Sequence, residues 1–168
     1  MSVQTPDASY TKDPVTITAH IHGPLNNIDE IYALSHETNK ITYGTIEEGN
    51  VGHFIVTESG DYTLYAIDNR KRMVTATTTV SCIDRSLPVL KDYKNTNSQI
   101  NFYIEDSLSS IDYSSIYGET VSGKKIYPQQ VDQAAGELIF SFPGQDFRLS
   151  IQDAAGNEAK YLIKHSFE

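Results

Sequence analysis

The chain has 168 residues, 39% of them hydrophobic and 21% charged, which suits one ordinary folded domain or two small ones and not a disordered chain. Thirteen basic residues against 22 acidic ones leave a formal charge of −9, which repels nucleic-acid phosphates and anionic lipid surfaces. No apolar run is long enough to cross a bilayer, so neither nucleic-acid binding nor membrane insertion of this segment is expected.

The opening, "MSVQTPDASYTKD", lacks the charged start and apolar stretch of a secretory signal. The expectation is either a cytoplasmic protein or a piece of a longer exported one. The first patterned run follows: Val15, Ile17, Ala19 and Ile21 alternate with Thr16, Thr18, His20 and His22. Successive side chains of a strand point to opposite faces, so this run predicts a strand with one buried face. Clusters of turn-forming residues, "HGPLNN", "EEGN" and "ESGD", punctuate what comes next. Tyr62, Leu64 and Ala66 then alternate with Thr63, Tyr65 and Ile67, and Val74, Ala76 and Thr78 continue the pattern after "NRKR". Cys82, the single cysteine, excludes an internal disulfide and reads as a small buried hydrophobe at the end of an apolar strand.

The same order then returns. Tyr62 placed over Phe147 sets an offset of 147 − 62 = 85 residues, and Leu64 meets Leu149, Ala66 meets Ile151 and Asp68 meets Asp153. Upstream, Val15, Ile17 and Ala19 meet Ile100, Phe102 and Ile104; downstream, Val74, Ala76 and Thr78 meet Ala159, Tyr161 and Ile163. The middle slips slightly, with Gly52 lying 84 residues before Gly136. A register held over this length predicts two copies of one domain, 1–84 and 85–168. Roughly seven short strands per copy, with no helical periodicity, predict an all-β fold of two-sheet β-sandwiches. The junction, "SCIDRSLPVL", is short and apolar, and Pro88 restricts its own backbone and that of Leu87, so a stiff connection is expected.

The runs "YTKDPVTITAHIHG", "GDYTLYAIDN" and "TATTTVSCIDRSLPVL" resemble the bacterial Ig-like repeats of Gram-positive surface proteins. The matching positions are Tyr10 and Thr11, Gly60 with Tyr62 and Thr63, Asp68, and Asp84 with Pro88; the second copy adds Asp153, Gly156 and Asn157. The resemblance covers nearly the whole chain and implies two tandem Ig-like sandwiches, folded without disulfides, in an exported extracellular or cell-wall protein. It also implies a corner tyrosine at Tyr62, whose hydroxyl ties back to the nearby backbone; Phe147 has no hydroxyl to do so. Gly156 suits a hairpin position with positive φ, whereas "NRKR" has no glycine, so the first hairpin is expected to be longer or differently shaped.

Several residues are candidate sites. "GETVSGKK" (118–125) is one residue from a phosphate loop, but Lys125 replaces the metal-binding hydroxyl and Pro128 stops the helix such a loop needs, so a loop between strands is expected. His20 and His22 share a strand face, a spacing metal sites use, but no third ligand is set nearby, and solvent-facing histidines are expected. Asp68, Asp106, Asp112 and Asp153 stand near loop ends where calcium could bridge strands or clamp the domains; without a D-x-D-x-D-G loop, turn capping is the expected role. Arg70, Lys71 and Arg72 form the dense basic cluster of an acidic chain, at a hairpin tip suited to an acidic partner. Among 11 tyrosines, Tyr103, Tyr113, Tyr117 and Tyr127 gather in the second copy, and Tyr113 and Tyr117 could stack on sugars, although tryptophan is absent. No motif of an activated nucleophile or metal-dependent hydrolase is present, and no catalytic residue, cofactor or metal is expected. Lys91 and Asn157 are the residue types of the isopeptide crosslinks in some Ig-like pilin domains, but the signature segments of those domains are missing.

Together these features lead to a non-catalytic tandem Ig-like module, a spacer or adhesive stalk. Neighbouring domains of a longer chain are its expected partners, with a wall polymer or a host glycan or protein as further ones. The alternative is an accessory, carbohydrate-binding region of a secreted enzyme.

Overall fold

A computed structural model describes residues 1–165 of the chain apart from residues 5, 7, 8 and 97. The chain divides into two compact units, Met1–Asp84 and Arg85–Glu168. Among the described residues the structure is all-β, and the one helical piece is a 3-10 turn at Tyr113–Ser115.

The first unit contains β1 (Ser2–Gln4), β2 (Val15–His20), β3 (Ile28–Ser35), β4 (Ile41–Tyr43), β5 (Thr45–Glu47), β6 (Val51–Val56), β7 (Gly60–Asp68) and β8 (Met73–Val80). They form two antiparallel sheets, ordered β1-β2-β6-β5 and β4-β3-β7-β8. The second unit contains β9 (Val89–Asn95), β10 (Gln99–Glu105), β11 (Tyr117–Thr120), β12 (Lys125–Ile126), β13 (Gln130–Asp132), β14 (Glu137–Ser141), β15 (Phe147–Gln152) and β16 (Glu158–Ile163). Their sheets run β13-β14-β10-β9 and β12-β11-β15-β16. Adding eight to each strand number of the first unit reproduces the neighbours of the second.

Each unit has eight described strands where roughly seven were expected. Short edge pieces account for the difference. Thr45–Glu47 and Gln130–Asp132 are exposed along their whole length, so they carry no alternation for a sequence pattern to reveal.

In each unit one buried cluster draws on both sheets. In the first, Ile17 and Phe54 come from one sheet and Ile31, Ala33, Leu64 and Ala66 from the other. In the second, Phe102 and Leu138 meet Phe147, Leu149 and Ile151. The large ring changes strand between the two: Ile17 lies opposite Phe54, whereas Phe102 lies opposite Leu138. Such an exchange conserves volume, which a packed core tolerates well. Phe102 stands edge-on to Phe140 and to Phe147, with ring centroids 5.5 and 6.1 Å apart. Cys82 is buried in the first cluster.

The ends of the junction belong to the units themselves. Thr11 makes a parallel bridge with Ile83, its N–H donating to the Cys82 carbonyl at 2.8 Å while Asp84 N–H donates to the Thr11 carbonyl at 2.9 Å. Beyond it, the Tyr161 hydroxyl donates to the carbonyl of buried Pro88 at 2.9 Å.

The Tyr62 hydroxyl donates to the Glu58 carbonyl at 2.7 Å, and its ring is buried. Phe147 fills the matching position, also buried. Tyr62→Phe should therefore cost about 1 kcal/mol, the net worth of one hydrogen bond. Phe147→Tyr should cost about 1–3 kcal/mol unless its new hydroxyl finds a partner. Urea denaturation of both variants measures the contrast.

Candidate functional site

The basic cluster occupies the β7–β8 hairpin. Asp68 N–H donates to the Arg72 carbonyl at 3.0 Å, and Lys71 N–H to the Asp68 carbonyl at 2.9 Å. The β15–β16 hairpin makes the same two bonds, from Asp153 to Asn157 and from Gly156 to Asp153, both at 3.1 Å. The expectation of a longer or differently shaped first hairpin is thus overturned. Lys71 adopts φ +61°, the left-handed conformation that Gly156 adopts at φ +87°, so both three-residue loops close alike. A β-carbon makes that conformation costly, and the side chain of Asp68 offsets the cost.

Asp68 has no solvent exposure. Its Oδ1 accepts the N–H groups of Arg70 and Arg72, both at 2.9 Å. Its Oδ2 accepts Arg72 Nε at 2.8 Å and Asn26 N–H at 3.3 Å, and Arg72 Nη2 stands 2.7 Å away. Burial pushes the carboxyl pKa up, but the hydrogen bonds from Arg72, Asn26 and Arg70 outweigh it and hold the group at about 2. Arg72 is therefore a structural partner of Asp68 first. Lys71 pairs with Asp29 at 3.4 Å on the surface, and Arg70 is exposed. The tip thus offers a partner less free positive charge than three consecutive cations imply. In the second unit a neutral side chain replaces the guanidinium: Asn157 donates its N–H and its Nδ2 to Asp153, both at 2.8 Å.

The other aspartates also cap turns. Asp112 accepts Ser114 N–H at the start of the 3-10 turn, and Asp106 accepts the N–H groups of Leu108 and Ser109. Asp106 does this through Oδ2; its Oδ1 is buried with no hydrogen-bond partner among the described residues. Asp106 and Asp153, both in the second unit, bring carboxylate oxygens within 4.8 Å of each other. Two carboxylates so placed match the charge of a cation but fall short of the six or more oxygens that calcium takes.

His20 and His22 are exposed, with rings stacked at 6.3 Å. Gly118–Lys125 forms the tight β11–β12 hairpin, closed by Thr120 N–H to Lys124. Lys91 pairs with Glu105 at 2.6 Å, while Asn157 serves Asp153.

Tyr113 and Tyr117 lie in different settings. Tyr113 lines a groove of about 530 Å³ with Tyr103, Lys91, Glu105 and Asp106, and its hydroxyl donates to the Gln133 carbonyl at 3.3 Å. Tyr117 lies on the outer face of β11, where Lys125 Nζ sits 4.0 Å from its ring centroid. A cation in that position covers a ring face that a sugar would need.

A denser group of tyrosines is in the first unit and was not singled out from the sequence. Tyr32 stands opposite Tyr43 on β4 and opposite Tyr65 on β7. The rings of Tyr32 and Tyr65 stack at 4.7 Å and 17°, and Tyr43 meets Tyr32 edge-on at 6.2 Å. All three point away from the buried face, and Tyr43 is 68% exposed. Burial, then Tyr65, Glu30 and Tyr43, push the Tyr32 hydroxyl above the usual tyrosine pKa. The signal for this group is a tyrosine in the outward phase of three strands, but it becomes a cluster only once the pairing is known.

The sequence matches no family model, and no curated protein matches it.

Two tests follow from the hairpins. Gly156→Ala should lower stability by about 1 kcal/mol and Lys71→Gly should raise it by a similar amount, read from chemical denaturation. Asp68 has an unfolded value near 3.8 and a folded one near 2, so its contribution is complete above pH 3.8 and is lost as pH falls towards 2. Asp68→Asn should therefore unfold more easily than the parent at neutral pH, and the two stability curves should converge across that acidic window.

Proposed function

We propose that the chain is a non-catalytic pair of Ig-like β-sandwich modules, 1–84 and 85–168, that serves as a spacer or adhesive stalk in an exported bacterial protein. The observation that carries this reading is the repeated strand order: the same eight-strand arrangement occurs in both compact units. Repetition of a self-contained unit extends a chain's reach without new contacts having to evolve, because each copy closes its own core. The resemblance of "GDYTLYAIDN" and "DFRLSIQDAAGNEA" to Gram-positive surface repeats supports export, and disulfide-free closure is compatible with it. On this reading the partners are neighbouring domains and wall or host polymers.

Mechanical unfolding tests it. Pulled from its two ends, the chain should give way in two separate events. Each should release at most roughly 300 Å, since the 84 residues of a unit extend at about 3.6 Å apiece. A single event releasing the whole length would show one cooperative body and overturn the spacer reading.

A further inference from the structure

The outer face of the β4-β3-β7-β8 sheet differs in chemistry from its counterpart in the second unit. In the first unit one cross-strand row reads Tyr43, Tyr32, Tyr65, Thr75, and the next reads Ile41, Leu34, Thr63, Thr77. Neither row contains a charge. The matching rows of the second unit include Tyr117, Ser150 and Lys160, then Lys125, Glu119, Arg148 and Leu162. Ion pairs and hydrogen bonds occupy that face: Ser150 Oγ donates to Glu158, Lys160 pairs with Glu158 at 3.2 Å, and Lys125 covers Tyr117. The same scaffold thus carries a solvated ionic surface in one unit and an uncharged aromatic one in the other, on a chain of net charge −9.

We propose that the outer face of this first-unit sheet binds an uncharged glycan, with a sugar ring seated against Tyr65 above Thr75. Tyr65 stands between Tyr32 and Thr75 in its row. Its ring is stacked on Tyr32 on one side, and its cross-strand neighbour on the other is exposed Thr75, a short side chain. A pyranose offers an apolar face to such a ring and hydroxyls around its rim. Exposed Thr75 and Thr77 supply donors and acceptors at that rim, while the Thr63 hydroxyl is engaged by His36 Nε2 at 2.7 Å. Charge complementarity selects the partner: the two rows hold nothing to pair with a polyanion or a polycation, and Glu30 in the adjoining row disfavours an anion further. Tyr43, at the edge of the sheet, extends the platform for a second sugar residue. The proposal goes beyond the spacer reading and does not depend on it, since mechanical unfolding does not involve this face.

Native electrophoresis of the full chain through gels cast with a neutral β-glucan, a mannan or a xylan, and with alginate as the charged control, tests the assignment. At least one neutral polymer should retard the chain, and alginate should not. Tyr65→Ser and Thr75→Lys, which install the second unit's residues, should each weaken retardation by about tenfold, the loss of roughly one stacked ring or its seat. Tyr43→Ser alters an exposed edge ring and so separates binding from folding; it should also weaken retardation. Tyr127→Ser, the comparable change in the second unit, should leave it unchanged. The proposal fails if none of the neutral polymers retards the chain, if alginate alone does, or if retardation survives both Tyr65→Ser and Tyr43→Ser. It fails too if sedimentation shows the free chain doubling its mass in a way that Tyr43→Ser abolishes, which would make the face a contact between copies.

Discussion

Each unit is closed by one apolar face from each of two sheets, and no disulfide joins those sheets. Everything else depends on that constraint. With a single cysteine in the chain, inter-sheet cohesion comes from burial of alternate strand positions. Period two is then compulsory on β2, β3, β6 and β7 and on their counterparts, because a slip of one residue would turn the core side chains outward. The outward positions are under no such demand. They can change chemistry without disturbing the fold, and between the units they have.

The fold was legible because its constraint is periodic. Ile17, Ala19, Leu64 and Ala66, with their partners 85 residues on, mark the central strands in both halves. Edge strands were not legible, since every residue of Thr45–Glu47 and Gln130–Asp132 is exposed and no alternation marks a buried face. The first hairpin was misread for a different reason. Glycine marks a left-handed position only when nothing else holds the backbone there. At Lys71 the buried carboxylate of Asp68, with its bonds to Arg70 and Arg72, holds it instead. A local conformational rule gave way to a tertiary hydrogen-bond network, a route that residue identity at the turn does not reveal.

The functional surface was harder to read. Tyr65 was visible as an outward residue of its strand, and Tyr32 and Tyr43 occupy the same phase of theirs. No single strand shows that the three are neighbours, because cross-strand register is a property of pairing and not of any one run. The tyrosines of the second unit were more conspicuous in the sequence, crowded as they are between Tyr103 and Tyr127. The structure separates Tyr113, in a groove, from Tyr117, under Lys125. Crowding along the chain was a poor guide to crowding in space.

The divergence of the two outer faces also bears on why a chain would keep both units. If reach alone mattered, any soluble outer surface would serve, and exposed aromatic area is a liability in a soluble strand edge. The second unit follows the safer course, with Lys125, Glu119, Arg148 and Lys160 on its face. The first retains Ile41 and Tyr43 on its edge strand β4, at 48% and 68% exposure. At the position matching Ile41 the second unit carries Lys125, and at those matching Tyr65 and Thr75 it carries Ser150 and Lys160, whereas Tyr32 and Tyr43 are matched by Tyr117 and the exposed Tyr127. Where the units differ, the first keeps a ring at Tyr65 and methyl groups at Thr75 and Ile41, the features the proposed glycan contact would use. On the proposed glycan reading, specificity rests on the part of the first unit's sheet face that differs, while at the Arg70–Arg72 tip Arg72 pairs with Asp68 and Lys71 with Asp29.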